Sequence, residues 1–203
     1  MIQNKRMWIF AGLATAVLAL SACSSGPPPR LYLLDAQPVG DVADDVKTAS
    51  ITALGISQIK LPGYASDPRI AASVGDGSIV LMDAQRWAEE PEDAITRLLA
   101  KRLRARATAT VLVEPWPRDY SPQARVEVIF DRLLNRPDGG AHLAGYIQLL
   151  SGDGRSLRQS VPFEFQAPGN PSEFAEFFRV VALGVDDIAR IAVETLVSSR
   201  AGS

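Results

Sequence analysis

The chain owns one cysteine and one histidine, and its 21 basic and 23 acidic side chains nearly cancel, leaving a formal net charge of −2. A lone Cys excludes a disulfide scaffold, and with a lone His it leaves too few ligands for a Cys/His zinc site. Any Ser/His/Asp or Cys/His nucleophile would have to recruit His142, and any thiol chemistry Cys23. The near-neutral balance offers no electrostatic footprint for nucleic acid. Long apolar runs are also missing: the longest, Met7 to Leu20, falls short of the roughly 20 residues a membrane-spanning helix needs.

What is present is concentrated at the start. Lys5 and Arg6 precede the apolar run, and the small residues Ser21 and Ala22 follow it, which is the layout of a cleaved secretory leader over residues 1–22. Leu20-Ser21-Ala22-Cys23 resembles a bacterial lipobox, in which the cysteine becomes the acylated first residue of the mature chain. Each buried acyl methylene contributes about 0.8 kcal/mol, so several chains of palmitate type on Cys23 would hold the protein at a bilayer. No other cofactor is expected. In lipoproteins of that kind, Ser24 after the lipidated Cys is compatible with delivery to the outer membrane. Losing Lys5 and Arg6 with the leader leaves 19 basic against 23 acidic side chains, a net −4. An acidic body argues against adhesion to anionic headgroups by charge. Residues 23–30 then form a lipid-anchored Cys and a tether, whose Pro27, Pro28 and Pro29 favour an extended reach of about 3.1 Å per residue.

Residues 31–203 read as a single domain. After Arg30 to Leu34, the stretch from Asp35 to Lys47 is a polar connection; its Asp41, Asp44 and Asp45 lack the glycine turn and terminal Glu of a calcium loop. Strands are expected over Ile51 to Leu61, Arg69 to Val74 and Ser78 to Met82, the last two joined by a Gly75-Asp76-Gly77 hairpin turn. A helix starts around Trp87 to Pro91 and buries Ile95, Leu98, Leu99 and Leu103 at helical spacing. Lys101, Arg102, Arg104 and Arg106 at its end match the negative end of the helix dipole. A short strand, Val111 to Val113, follows.

From Ala124 the period changes to two: Ala124, Val126, Val128 and Phe130 alternate with Arg125, Glu127, Ile129 and Asp131. Two further strands, Ala141 to Leu150 and Ser156 to Phe165, complete an antiparallel meander. Neither Gly75-Asp76-Gly77 nor Gly152-Asp153-Gly154, the turn between the last two strands, extends to a phosphate-binding loop. Asn170 and Pro171 open a last helix that buries Phe174, Phe178, Val181, Val185, Ile188 and Ala192. The expected fold is therefore α+β: a mainly antiparallel sheet, ending in a three-stranded meander, with two amphipathic helices packed on one face. His142 lies out of phase with Leu143 and Ile147 and is a surface or structural residue, so nothing marks a catalytic centre and no enzyme is expected.

Three strings in order resemble a known family: Leu61-Pro62-Gly63-Tyr64, Pro68-Arg69-Ile70 and Arg86-Trp87-Ala88-Glu89, preceded by Arg30 to Leu34. They are similar to those of the ABC-type transport auxiliary lipoproteins, the PqiC-like group, and the likeness runs from about Arg30 to Leu196. Glu90-Pro91 departs from the Pro-Leu common there. The resemblance implies a periplasm-facing lipoprotein anchored in the outer membrane of a Gram-negative envelope. It would be a subunit of an MCE-type ABC transport system that docks or stabilises the periplasm-spanning component in lipid transport between membranes. Its partners would be an MCE-domain protein and the outer membrane through its anchor, with no nucleic acid and with self-association left open. The strings make Leu61, Pro62, Tyr64, Arg69 and Trp87 the candidate partner contacts. A second reading is a lipid carrier, with an acyl chain between the last helix and the sheet and Phe174, Phe177 and Phe178 as candidate lipid contacts.

Overall fold

The computed structural model describes residues 27–34 and 51–201, with the side chains of 200 and 201 excepted. The expected leader, Cys23 and the connection with Asp41, Asp44 and Asp45 lie outside the described residues. Eight strands share one sheet: β1 (Arg30–Tyr32), β2 (Ala53–Ile56), β3 (Arg69–Ser73), β4 (Ile79–Trp87), β5 (Thr110–Val113), β6 (Ala124–Asn135), β7 (Ala141–Ser151) and β8 (Leu157–Ala167). Helix α1 (Pro91–Arg106) links β4 to β5, and α2 (Ala175–Ala201) follows β8.

The sheet is mixed, which corrects the expectation of a mainly antiparallel one. The meander β6–β7–β8 and the hairpin β3–β4 are antiparallel, but β1 runs parallel to β4, and β2 runs parallel to both β5 and β6. Local turns announce antiparallel pairs; parallel pairs join strands distant in sequence, and no short-range pattern records them.

Strand β6 organises the rest. Its outer edge is shared along its length: β2 pairs with Ala124 to Val126, Lys60 bridges to Ile129, and Ala72 of β3 meets Asn135. The alternation of Ala124, Val126, Val128 and Phe130 is observed, with all four buried. Beyond Phe130 the register with β7 shifts at a bulge, so that the inward set becomes Leu133 and Asn135 while Asp131 and Arg132 are both exposed. Strict alternation would have turned Arg132 into the core. The bulge's extra residue reverses that.

Element ends shift in three places. The ladder of β2 covers only Ala53 to Ile56, although Ser57 and Lys60 continue to donate backbone hydrogen bonds to β6. Strand β4 runs on through Trp87, and α1 begins at Pro91, which lacks the N–H that a first helical residue could not use anyway. Helix α2 begins at Ala175, not at Pro171; Asn170 instead closes a turn in which its Oδ1 accepts from the Ser172 N–H at 3.0 Å.

The two helices pack on each other, α2 covers β7 and β8, and α1 covers β5, around one continuous core. Val180, Val181, Val185, Ile188 and Val193 of α2 are all buried. Gly184 lets α2 approach the meander closely: a Cβ there would stand 2.7 Å from Leu143 Cδ2 and 2.9 Å from Phe165 Cδ1. Between the helices, Asp186 of α2 receives Arg106 at 2.6 Å and lies 3.7 Å from Arg102. The basic end of α1 therefore does more than match a dipole.

Candidate docking surface

The connection from β2 to β3 is a tight turn on the outer edge of β6, in which Ala65 donates its backbone N–H to the Pro62 carbonyl at 2.8 Å. Leu61 and Tyr64 pack partly against the core and remain partly open to solvent. The Tyr64 hydroxyl stands 3.5 Å from the Asp131 carbonyl, at the β6 bulge. Leu61, Pro62 and Tyr64 are thus brought together on one surface turn.

Arg69 stands at the start of β3, in a charge clamp. Its backbone N–H and its guanidinium both donate to Asp67, at 2.8 to 2.9 Å, and Nη1 reaches Asp83 of β4 at 3.3 Å. These hydrogen bonds hold the Asp67 carboxyl down at about 2 and raise the Arg69 guanidinium, so the clamp stays ionised well into acid. Beside it, Ser66 donates to Glu92 and Arg97 pairs with Glu89, tying the first turn of α1 to the same surface.

Trp87 stands apart from these four. The end of β4 is fastened on both sides, by Trp87 N–H to the Pro68 carbonyl at 2.8 Å and by Ala88 N–H to the Tyr32 carbonyl at 2.9 Å. The indole points inward, with its ring 4.9 Å from Phe178 and 6.4 Å from Phe177. Phe178 also stacks on Tyr32 at 5.0 Å, and Phe174 closes the group 5.4 Å from Tyr32. Phe177 and Phe178 are fully buried in this cluster, while Phe174 at its rim is partly open. Edge and stacked ring contacts contribute about 0.5 to 1.5 kcal/mol each beyond area burial. Trp87→Phe is expected to lower stability by about 1 to 2 kcal/mol, below the cost of deleting a whole ring, as read by urea denaturation. Its folded fraction should bind partners as the parent does.

His142 lies on the solvent face of the meander, as its phase indicated. Its Nε2 is 3.0 Å from Glu164 and its Nδ1 is 3.5 Å from Arg132. Burial, followed by the Arg132 charge, pushes the imidazole below its ordinary value, against the pull of Glu164. Among the described residues, no three His, Cys, Asp or Glu side chains gather as a metal site would require.

The sheet's edges restrict how a partner could attach. Among the described residues, one end is β1 with three residues, the other is β5 with four, and the third edge, β8, carries Pro162 at its centre. Short edges and a proline that offers no N–H discourage strand addition. Docking through side chains of the β2–β3 turn suits this architecture better.

The fold has solved counterparts. A crystal structure of an uncharacterised protein superposes with a TM-score of 0.61 at 19% identity, covering 82% of this chain and 98% of that one. A crystal structure of protein XCC0632 from Xanthomonas campestris gives 0.61 at 12% identity, covering 85% and 98%. At such identities the likeness shows the fold alone. No curated protein matches the sequence closely enough to count as a relative. The profile described as the ABC-type transport auxiliary lipoprotein component, however, matches residues 32–191, from the Tyr32 of the aromatic cluster to the buried stripe of α2. The chain belongs to the ABC-type transport auxiliary lipoprotein component family.

Proposed function

We infer that this protein is the outer-membrane-anchored, periplasm-facing subunit of an MCE-type ABC transport system, and that it docks or stabilises the periplasm-spanning component during lipid transport between the two membranes. The observation that carries this reading is the family match over residues 32–191, which follows a string, Leu20 to Cys23, that resembles a lipobox. Lipidation of Cys23 anchors the domain, and the turn Leu61 to Tyr64 with the Arg69 clamp supplies the docking contacts. Docking is favoured over carriage of an acyl chain, because the seam where such a chain would lie is tightly closed at Gly184 and Phe177 and Phe178 are spent on the core.

The test is co-purification. The affinity-tagged full chain, solubilised from the native envelope in mild detergent, is expected to bring down an MCE-domain protein, and Arg69→Glu should reduce that recovery at least about tenfold by placing a carboxylate against Asp67 and Asp83. Recovery of no MCE-domain protein from an envelope whose other complexes survive solubilisation would overturn the reading.

A further inference from the structure

A cavity of about 400 Å³ opens on the solvent face of the sheet, between the β3–β4 hairpin and the end of β6. Its polar lining is Arg132, Arg136, His142, Ser73 and Ser78, and no carboxylate lines it. Three acids stand close by, each hydrogen-bonded to a lining group: Asp138 to Arg136, Asp76 to Ser78 and Glu164 to His142. Another cavity, of about 510 Å³ beside α1, is lined by Asp93 and Glu114 as well as Arg97 and Arg104, so its charges balance within it. The charge on the lining itself is positive only, that of Arg132 and Arg136, with Asp138, Asp76 and Glu164 just outside it.

Arg132 supplies the charge with no ion-pair partner in contact, although Glu164 is near enough to feel it. Among the described residues no carboxylate pairs with it; its contact is the Nδ1 of His142 at 3.5 Å. With Glu164 taking the Nε2 proton of a neutral imidazole, Nδ1 is the acceptor, and the remaining Arg132 donors are free to face the cavity. Several guanidinium N–H groups in one fork match the oxygens of a tetrahedral anion. The other walls are apolar: Leu134, Pro137 and the exposed Ile79. A second cavity of about 210 Å³ shares Ser73, Arg136 and Pro137 and continues to Phe174. Charge at one end and apolar wall at the other describe an amphiphile.

We propose that this cavity binds a phosphate group carried on an apolar body, with Arg132 as the phosphate contact, the Ser73 hydroxyl as a further donor, and Ile79 and Phe174 against the apolar part. The bulge in β6 creates the site, because it alone places Arg132 on the solvent face beside His142. The inference stands independently of the partner that the protein docks.

Calorimetry on the full chain in non-ionic detergent tests it with two probes, inorganic phosphate and dihexanoyl phosphatidic acid. Both should bind the parent, the lipid at least about tenfold tighter, and Arg132→Gln should weaken both by at least about tenfold. Arg132→Lys, which keeps the charge but loses the fork, should fall between. Ile79→Ser should weaken the lipid alone. Arg190→Gln, which breaks an exposed pairing on α2, should change neither. Equal affinity for the two probes, lost in Arg132→Gln, would assign the site to free phosphate and overturn the apolar half. No heat from either probe at millimolar concentration, or unchanged affinity in Arg132→Gln, would overturn the proposal whole.

Discussion

Gly145→Ala is expected to cost about 3 kcal/mol of folding stability and to lower the melting temperature by about 6 to 12 °C. Gly145 pairs with Phe130, immediately before the β6 bulge. A Cβ at this position would stand 2.0 Å from the Ile129 carbonyl oxygen and 2.9 Å from the Phe130 Cα, both backbone atoms of the neighbouring strand. A flexible side chain could swing aside; a laddered backbone cannot, so the bulge must open or β7 must move away from β6. Because the bulge also sets Arg132, the variant's folded fraction should lose phosphate affinity along with stability. Urea denaturation measures the first effect and calorimetry the second. Gly63→Ala is the control: nothing lies within 4 Å of its Cβ, so it should be neutral or gain up to about 1 kcal/mol by restricting the unfolded chain. A Gly145→Ala protein as stable as that control would show that the strands separate easily and that the close approach is incidental.

Asp186→Ala should cost a similar amount, about 3 kcal/mol, through a different mechanism. Among the described residues, Asp186 is the carboxylate paired with two largely buried arginines, Arg102 and Arg106, whose side chains are 10% and 11% exposed. Three guanidinium nitrogens, Arg102 Nε and Arg106 Nε and Nη1, have no hydrogen-bond partner even with Asp186 in place. Removing the carboxylate leaves two like charges facing each other between the helices, and breaking a buried pair from one side typically costs about 3 to 5 kcal/mol. The lower end applies because Asp186 itself keeps 22% exposure, which screens the pair. Replacing all three together, Arg102→Met, Arg106→Met and Asp186→Leu, should restore the parent stability to within about 1 kcal/mol or exceed it, since no charge then remains to be desolvated. Denaturation of the single and triple variants decides between this account and simple loss of packing. If the triple variant were as unstable as Asp186→Ala, shape rather than charge would be the cause.

Sequence spacing foretold half of this arrangement. Arg102 and Arg106 are four residues apart on one helix face, which puts them side by side. Nothing in the spacing says that Asp186, some eighty residues later, comes between them. The same division runs through the family strings. The strings around Leu61, Arg69 and Trp87 were legible as a family signature, and the structure sorts them by what they touch. Leu61, Pro62 and Tyr64 share an accessible turn and Arg69 holds a surface clamp, whereas Trp87 is spent on an aromatic core with Phe177 and Phe178. A motif records that a residue is kept in place and not which way it points.

By itself the sequence determined the elements whose cause is local: the period-two meander, the glycine turns at Gly75 and Gly77 with their positive φ of 94° and 91°, and the apolar stripes of both helices. It also carried the family strings, because these are written as contiguous residues. The tertiary structure alone decided the parallel pairings of β1 and β2, the bulge that turns Arg132 outward, the charge cluster at Asp186 and the carboxylate-free cavity under the hairpin. Each of these joins residues far apart in the chain or breaks a period by a single residue. Local propensity is blind to both, since the energy that selects them lies in contacts the chain makes only once it has folded.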